Sequence, residues 1–98
     1  MTSELIQAIE AERHRQNALH PVAFTRLAPA GVTSENLREK LEKYQEINNL
    51  LEHAGVHNAM TLAQEELYEF FTAETKEQQL AEAIQNIAFW VRIYEELA

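Results

Sequence analysis

The sequence predicts an all-α protein of four helices, and two observations carry this prediction. The 98 residues include only two glycines and two prolines, while alanine, leucine, glutamate and glutamine, which favour helices, are abundant. Runs of alternating β-branched residues, which are typical of strands, are missing. We therefore expect no sheet, and we expect residues 1–98 to form a single domain.

Charge and cysteine content exclude several classes of function. The chain has eight basic and sixteen acidic residues, and the net charge is −8. Such a protein repels nucleic acid and anionic membranes, so we expect neither as a partner, and a phosphorylated ligand would arrive with a divalent cation. Without cysteine there is no thiolate zinc site or cysteine nucleophile. With no membrane-spanning run or signal pattern, we expect a soluble, cytoplasmic protein.

The amino-terminal third is predicted to be a helix followed by a connector. Ser3 can cap a helix of about sixteen residues. This helix should fade near Leu19, because His20 precedes Pro21 and residues before proline avoid helical geometry. Residues 20–33 contain both prolines and one of the glycines. We expect a loop there, either a plain connector, which is the commoner case, or a lid.

A second helix is predicted to begin at Thr33 or Ser34 and to end at Gly55. Its apolar residues recur at three- and four-residue steps, which predicts one buried face. They are Leu37, Leu41, Tyr44, Ile47 and Leu51.

Two more helices are predicted from repeated capping patterns. Thr61, with Gln64 three residues later, is expected to begin the third helix, and Thr75 with Gln78 to begin the fourth. Apolar residues surround most of the fourth helix, so we expect it to be central or at a subunit interface. The interface would join two copies, or a higher homo-oligomer, partly through three residues of this helix, Phe89, Trp90 and Ile93.

Four polar residues lie symmetrically about the short break at residues 73–75, across which the third and fourth helices should form an antiparallel hairpin. Glu66 and Glu69 precede this turn by the same distance, about 12 Å, as Glu82 and Gln85 follow it. Each pair has i,i+3 spacing, so three carboxylates and one amide oxygen are predicted to converge. Mg²⁺ or Mn²⁺ takes such ligands, whereas the commoner alternative is a solvated acidic face.

The same residues carry a resemblance to a known family. Residues 65–69 (Glu-Glu-Leu-Tyr-Glu) and, after an interval of twelve residues, 82–85 (Glu-Ala-Ile-Gln) resemble the Glu-Glu-x-x-Glu … Glu-x-x-Asp signature of the MazG-like, all-α nucleoside triphosphate pyrophosphohydrolases. A small phage and bacterial branch is also similar in its Glu-Arg-x-x-Gln motif, here residues 12–16. The resemblance covers roughly residues 5–17 and 58–97.

The resemblance implies an acidic helical hairpin that binds Mg²⁺ and, through it, the triphosphate of a nucleotide. Hydrolysis at the α–β linkage would release the monophosphate and pyrophosphate. Glu66, Glu69 and Glu82 would be metal ligands, and Glu65 would orient or activate water. Gln85 departs from the family's aspartate, because its carbonyl oxygen can coordinate a cation but carries no charge.

Four further residues are candidates for contacts with the phosphates or the base of a nucleotide. Arg13, Arg15 and Gln16 lie in the motif of the first helix, and the guanidinium fork of arginine suits phosphate. Arg92 lies two turns beyond Gln85 on the same face of the fourth helix. The alternatives are surface pairing with nearby glutamates and, for Arg92, a cation near a helix carboxyl end.

Three functions therefore remain open. The first is a Mg-dependent nucleotide pyrophosphohydrolase, favoured by the mirrored glutamates. The second is a catalytically inactive MazG-like protein of a phage or bacterium that binds or inhibits another protein. The third is a helical assembly module, and the missing aspartate favours the last two.

Overall fold

The computed structural model describes residues 1–24 and 26–98 and confirms the all-α prediction. The four helices are α1 (Ser3–Leu19), α2 (Ser34–His53), α3 (Ala59–Thr72) and α4 (Lys76–Leu97). The described residues contain no strand. Within the same residues, no helix is long and apolar enough to cross a membrane.

The ends of α2 and the start of α4 follow the sequence prediction. Thr33 caps α2, and Thr75 caps α4 with the Gln78 side chain completing the capping box. Gly55 follows the end of α2 with a φ of 72°, a left-handed conformation that favours glycine.

Two helix starts differ from the prediction because a stronger or earlier cap is available. Thr2, not Ser3, caps α1 and accepts a hydrogen bond from the backbone N–H of Leu5. Asn58 caps α3, its Oδ1 accepting from the backbone N–H of Thr61 at 2.9 Å. Since asparagine is a better N-cap than threonine, Thr61 lies inside the first turn of α3 rather than at its start.

The central helix of the chain is α3, whereas the sequence predicted α4 to be central or at a subunit interface. One face of α3 packs against α2 and another against α4, while α1 makes no close backbone approach to another helix within the described residues. Both packings are antiparallel, since Asn48 of α2 bonds to Thr61 near the start of α3 and Asn86 of α4 bonds to Glu66. The acidic hairpin is therefore the α3–α4 pair.

The chain has a small interior. Among the described residues, Leu5 and Asn48 alone are buried, and both keep a small exposed fraction. The predicted apolar row of α2 does face inward, and its five residues are half-buried. The radius of gyration is 15.7 Å, whereas a compact domain of this length has about 13 Å. The helices thus form an open layer that leaves much apolar surface uncovered.

Candidate metal centre

Three carboxylates converge between α3 and α4. One oxygen from each of Glu66, Glu69 and Glu82 lies within 4.8 Å of the others, as the spacing about the turn predicts. All three side chains are half-buried. Their role as metal ligands remains a prediction.

Asn86 holds the two helices in the register that brings these carboxylates together. Its Nδ2 donates to the backbone oxygens of Glu66 and Glu82, each at 2.9 Å. Sequence reasoning missed this residue, although a signal exists. Asn86 lies four residues after Glu82 and three before Phe89, on the face of α4 that packs on α3.

Burial and like charge raise the pKa of two of these carboxyl groups, Glu69 and Glu66. Burial is the largest cause that raises the pKa of Glu69 to about 7, followed by the charge of Glu66, a hydrogen bond with Glu65 and the charge of Glu82. Burial also raises the pKa of Glu66, with smaller effects from Glu82 and Glu65. The cluster therefore favours a proton or a cation between its members.

Two oxygens of the cluster lack any partner. Oε2 of Glu66 and Oε2 of Glu82 are buried and accept no hydrogen bond. A buried ionised oxygen without a partner is costly, and ions in protein interiors are normally paired or coordinated to metal. The donor set consists of hard oxygens on rigid helices and fits Mg²⁺ or Mn²⁺.

Solvent reaches the cluster through an open groove of about 340 Å³ beside the turn of the hairpin. Glu69 and Glu82 line this groove together with Leu41 of α2 and Thr72 of α3. A ligand as large as a phosphate group thus has a path to two of the three carboxylates.

Glu65 lies next to the cluster and is tied to α2. Its Oε1 accepts a hydrogen bond of 2.8 Å from Nδ2 of Asn48, a second residue that sequence reasoning missed. Since Glu65 also contributes to the raised pKa of Glu69, the carboxylate of Glu65 lies between α2 and the cluster.

Gln85 is exposed, whereas the three carboxylates are half-buried. Its side chain is exposed and makes no hydrogen bond to a described residue. Gln85 is one residue from Asn86 and three from Glu82, so a helical turn places it at the rim of the inward face. Its service as a fourth ligand remains a prediction.

The structure pairs two of the proposed nucleotide contacts on α1 with a neighbouring glutamate. Nε of Arg15 donates to Oε2 of Glu12 at 2.9 Å, and Nε2 of Gln16 donates to Oε1 of Glu12 at 3.2 Å. The Glu12 side chain is the largest cause that raises the pKa of Arg15. Both residues lie on α1, as does exposed Arg13. Surface pairing, the alternative interpretation, describes Arg15 and Gln16 in this state.

Arg92 is also paired locally and lies away from the cluster. Its Nε donates to Oε1 of Glu96 at 3.0 Å. Ten residues of helix separate it from Glu82, which is roughly 15 Å along α4. A contact between Arg92 and a phosphate bound at the cluster of the same chain would need a long ligand.

No family model, curated protein or solved structure matches this chain. The resemblance to MazG-like proteins therefore depends on the motifs quoted above and remains a prediction.

The raised pKa of Glu69 predicts that the metal-free protein loses stability as the pH rises. Between pH 4.5, the ordinary pKa, and about 7, the folded state retains a proton that the unfolded state has released. The free energy of unfolding should fall across this window and level off above it. Urea titrations in EDTA at several pH values measure this. Glu69→Gln should reduce this decrease in the free energy of unfolding with pH, whereas Glu46→Gln, at an exposed residue, should not. An equal pH dependence for the wild-type protein and Glu69→Gln would contradict the raised pKa of Glu69.

Divalent cations should stabilise the folded protein. A cation that binds only the folded state raises its melting temperature by mass action, so Mn²⁺ should raise it more than Na⁺ at matched ionic strength. Glu66→Gln should raise the metal-free melting temperature, because it relieves repulsion, and should also erase most of the Mn²⁺ effect. On a solvated face the same substitution would change stability by no more than about 0.5 kcal/mol and leave the Mn²⁺ effect intact.

Proposed function

We propose that this protein is a divalent-cation-dependent nucleotide pyrophosphohydrolase that converts a nucleoside triphosphate to the monophosphate and pyrophosphate. The observation that carries the proposal is the convergence of Glu66, Glu69 and Glu82, two of which have buried oxygens without partners. A solvated acidic face does not leave carboxylate oxygens buried and unpaired. The choice of reaction comes from the resemblance to MazG-like enzymes.

Glu66, Glu69 and Glu82 would hold the cation. When bound, Mg²⁺ or Mn²⁺ supplies neutralisation of the triphosphate charge and lowers the pKa of a coordinated water. A protein of net charge −8 repels a free triphosphate, so the substrate would enter as its metal complex. Three carboxylates leave the site one charge short of the family pattern, and Gln85 can add an oxygen but no charge.

Glu65 would act as the general base. It is half-buried, it adjoins Glu69, and Asn48 donates to one of its oxygens. In the proposed step, a water oxygen bonds to a phosphorus of the α–β linkage, the bond to the leaving phosphate oxygen breaks, and the water proton passes to Glu65. The products are the monophosphate and pyrophosphate.

Removing a carboxylate of the cluster should abolish turnover. Loss of a residue that merely supports a metal ligand costs about 10–100-fold, so Glu69→Ala should reduce kcat at least about 100-fold. Pyrophosphate release from a panel of ribo- and deoxyribonucleoside triphosphates, with Mg²⁺ and with Mn²⁺, measures this. Glu46→Gln is the matched control and should retain wild-type activity. No turnover of any nucleotide by the wild-type protein would favour the protein-binding or assembly function.

We also propose that a second copy of the chain covers an apolar stripe on α4. Phe89 and Ile93, expected from sequence at the subunit contact, are half-buried and line a cavity with Leu62 of the same chain. The stripe lies on the opposite side of α4, and every member is more than half exposed: Leu80, Ile84, Ile87, Trp90 and Tyr94. Exposed apolar patches of this kind mark interaction sites.

The order of residues along the stripe fits a two-fold contact with another α4. When two copies pair antiparallel about Ile87, Leu80 of one faces Tyr94 of the other and Ile84 faces Trp90. Each position thus meets a residue of the same stripe, which is the self-complementarity that an isologous interface requires. The open, extended shape of the single chain agrees with a protomer that is completed by association.

Charge at the centre of the stripe should separate the two copies. Ile87→Glu places two carboxylates on the symmetry axis and should give a monomer, which light scattering or analytical ultracentrifugation measures. Leu50→Glu is the matched control, because Leu50 is 66% exposed on α2, outside the stripe. A stable wild-type monomer at micromolar concentration would refute the dimer.

A further inference from the structure

We infer that Asn48 of α2 is a positioning residue that holds the Glu65 carboxylate toward the Glu66–Glu69–Glu82 cluster. The inference rests on the proposed function, in which Glu65 takes a proton from water. It adds α2 to a metal centre whose predicted ligands lie on α3 and α4.

Asn48 is the most deeply buried polar residue among those described. The residue is 5% exposed, and its side chain reaches from α2 to two groups on α3. Nδ2 donates to the backbone oxygen of Thr61 at 3.0 Å and to Oε1 of Glu65 at 2.8 Å. These acceptors lie one helical turn apart, so the amide bridges successive turns of α3.

The chemistry of these partners settles which end of the amide faces Glu65. The backbone oxygen of Thr61 can only accept, so the amide nitrogen must face it. An amide nitrogen has two hydrogens and no free lone pair, and both hydrogens are used here. The oxygen of Glu65 that faces Asn48 must therefore accept, as a carboxyl oxygen does.

The hydrogen bond from Asn48 determines where the Glu65 carboxylate points, because Glu65 lies between Asn48 and Glu69. One side of Glu65 accepts a hydrogen bond from Asn48, and Glu65 is close enough to Glu69 of the cluster to contribute to the raised pKa of Glu69. Residues 65 and 69 are four apart, so their side chains lie on the same face of α3. A carboxylate held by Asn48 thus stays beside the cluster.

Space exists for Glu65 to turn away if the amide is lost. A cavity of about 240 Å³ lies between α2 and α3 and is lined by Glu65, Glu52 and His57 among others. Its volume could hold several water molecules, each of which takes about 30 Å³. Without the donor on Asn48, the Glu65 side chain can rotate into this solvated space and leave Glu69.

Packing alone does not explain an asparagine at position 48. Oδ1 of Asn48 and Oγ1 of Thr61 are both buried, and neither has a hydrogen-bond partner. A leucine of similar size would remove one unpaired polar atom from the interior. A role in the site explains why an amide is present, because its nitrogen donates to Glu65.

The test compares Asn48→Leu and Asn48→Ala with Asn49→Leu, an exposed neighbour on α2 that serves as the matched control. For each full-length variant, kcat and KM are measured with the nucleotide that the wild-type protein hydrolyses in Mn²⁺. Mn²⁺ affinity is measured without nucleotide by electron paramagnetic resonance, and thermal unfolding reports the fold.

Both Asn48 variants should lose kcat by about 10–100-fold, the cost of removing a partner that orients a group in a metal site. KM and the Mn²⁺ dissociation constant should stay within about threefold of wild type, because the three carboxylates remain. Asn49→Leu should match the wild-type protein in every measurement.

Several outcomes would overturn the inference. If kcat of both Asn48 variants stays within about twofold of wild type, Asn48 does not position Glu65. A joint loss of kcat, Mn²⁺ affinity and thermal stability, or failure of both variants to fold, would assign the amide to packing. A wild-type protein that binds Mn²⁺ but hydrolyses no nucleotide would refute the proposed function itself, and the positioning role with it.

Discussion

The hydrogen bond from Asn86 of α4 to the backbone oxygen of Glu66 on α3 is the contact on which the candidate site depends. It places α4 against α3 at the register in which Glu82 faces Glu69, while a second bond, to the backbone oxygen of Glu82 one turn earlier on α4, holds the amide in place. A shift of one residue along a helix turns a side chain by about 100°, which would carry Glu82 out of the cluster. An asparagine suits this role because its amide can donate twice without adding charge next to three carboxylates.

The cluster works against the stability of the helices that form it. Burial and like charge raise the pKa of Glu66 and Glu69, and two carboxylate oxygens remain buried without partners. Contacts elsewhere must offset that cost. The central helix α3 is held on the other side by Asn48 and by stacking of Tyr44 on Tyr68, whose ring centroids are 5.9 Å apart. Destabilising groups retained in this way are typical of functional sites.

In this open layer of helices, the candidate site and the proposed dimer contact lie on opposite faces of α4. Because α3 uses both faces for α2 and α4, the outer face of α4 has no partner within the described chain. A chain of 98 residues buries too little apolar surface to leave such a stripe exposed without consequence. In the proposed dimer, the inward face of α4 carries Glu82 and the outward face carries the contact. One helix would therefore support both the site and the assembly.

The sequence by itself determined the helices and the level along the hairpin at which three carboxylates lie. Caps such as Thr75 with Gln78 act within a few residues, and helix geometry converts spacing about a short turn into distance along the helices. That the three carboxylates turn toward one another depends on the contact of Asn86 with α3. Tertiary structure alone decided that α3 is central, that Asn48 and Asn86 bridge the helices, and that Phe89 faces inward while Trp90 faces outward. The reason is that a helix with apolar residues on most sides can pack against its neighbour through any of those sides. Which side becomes buried depends on the direction from which the neighbouring helix approaches, and local spacing does not contain that direction.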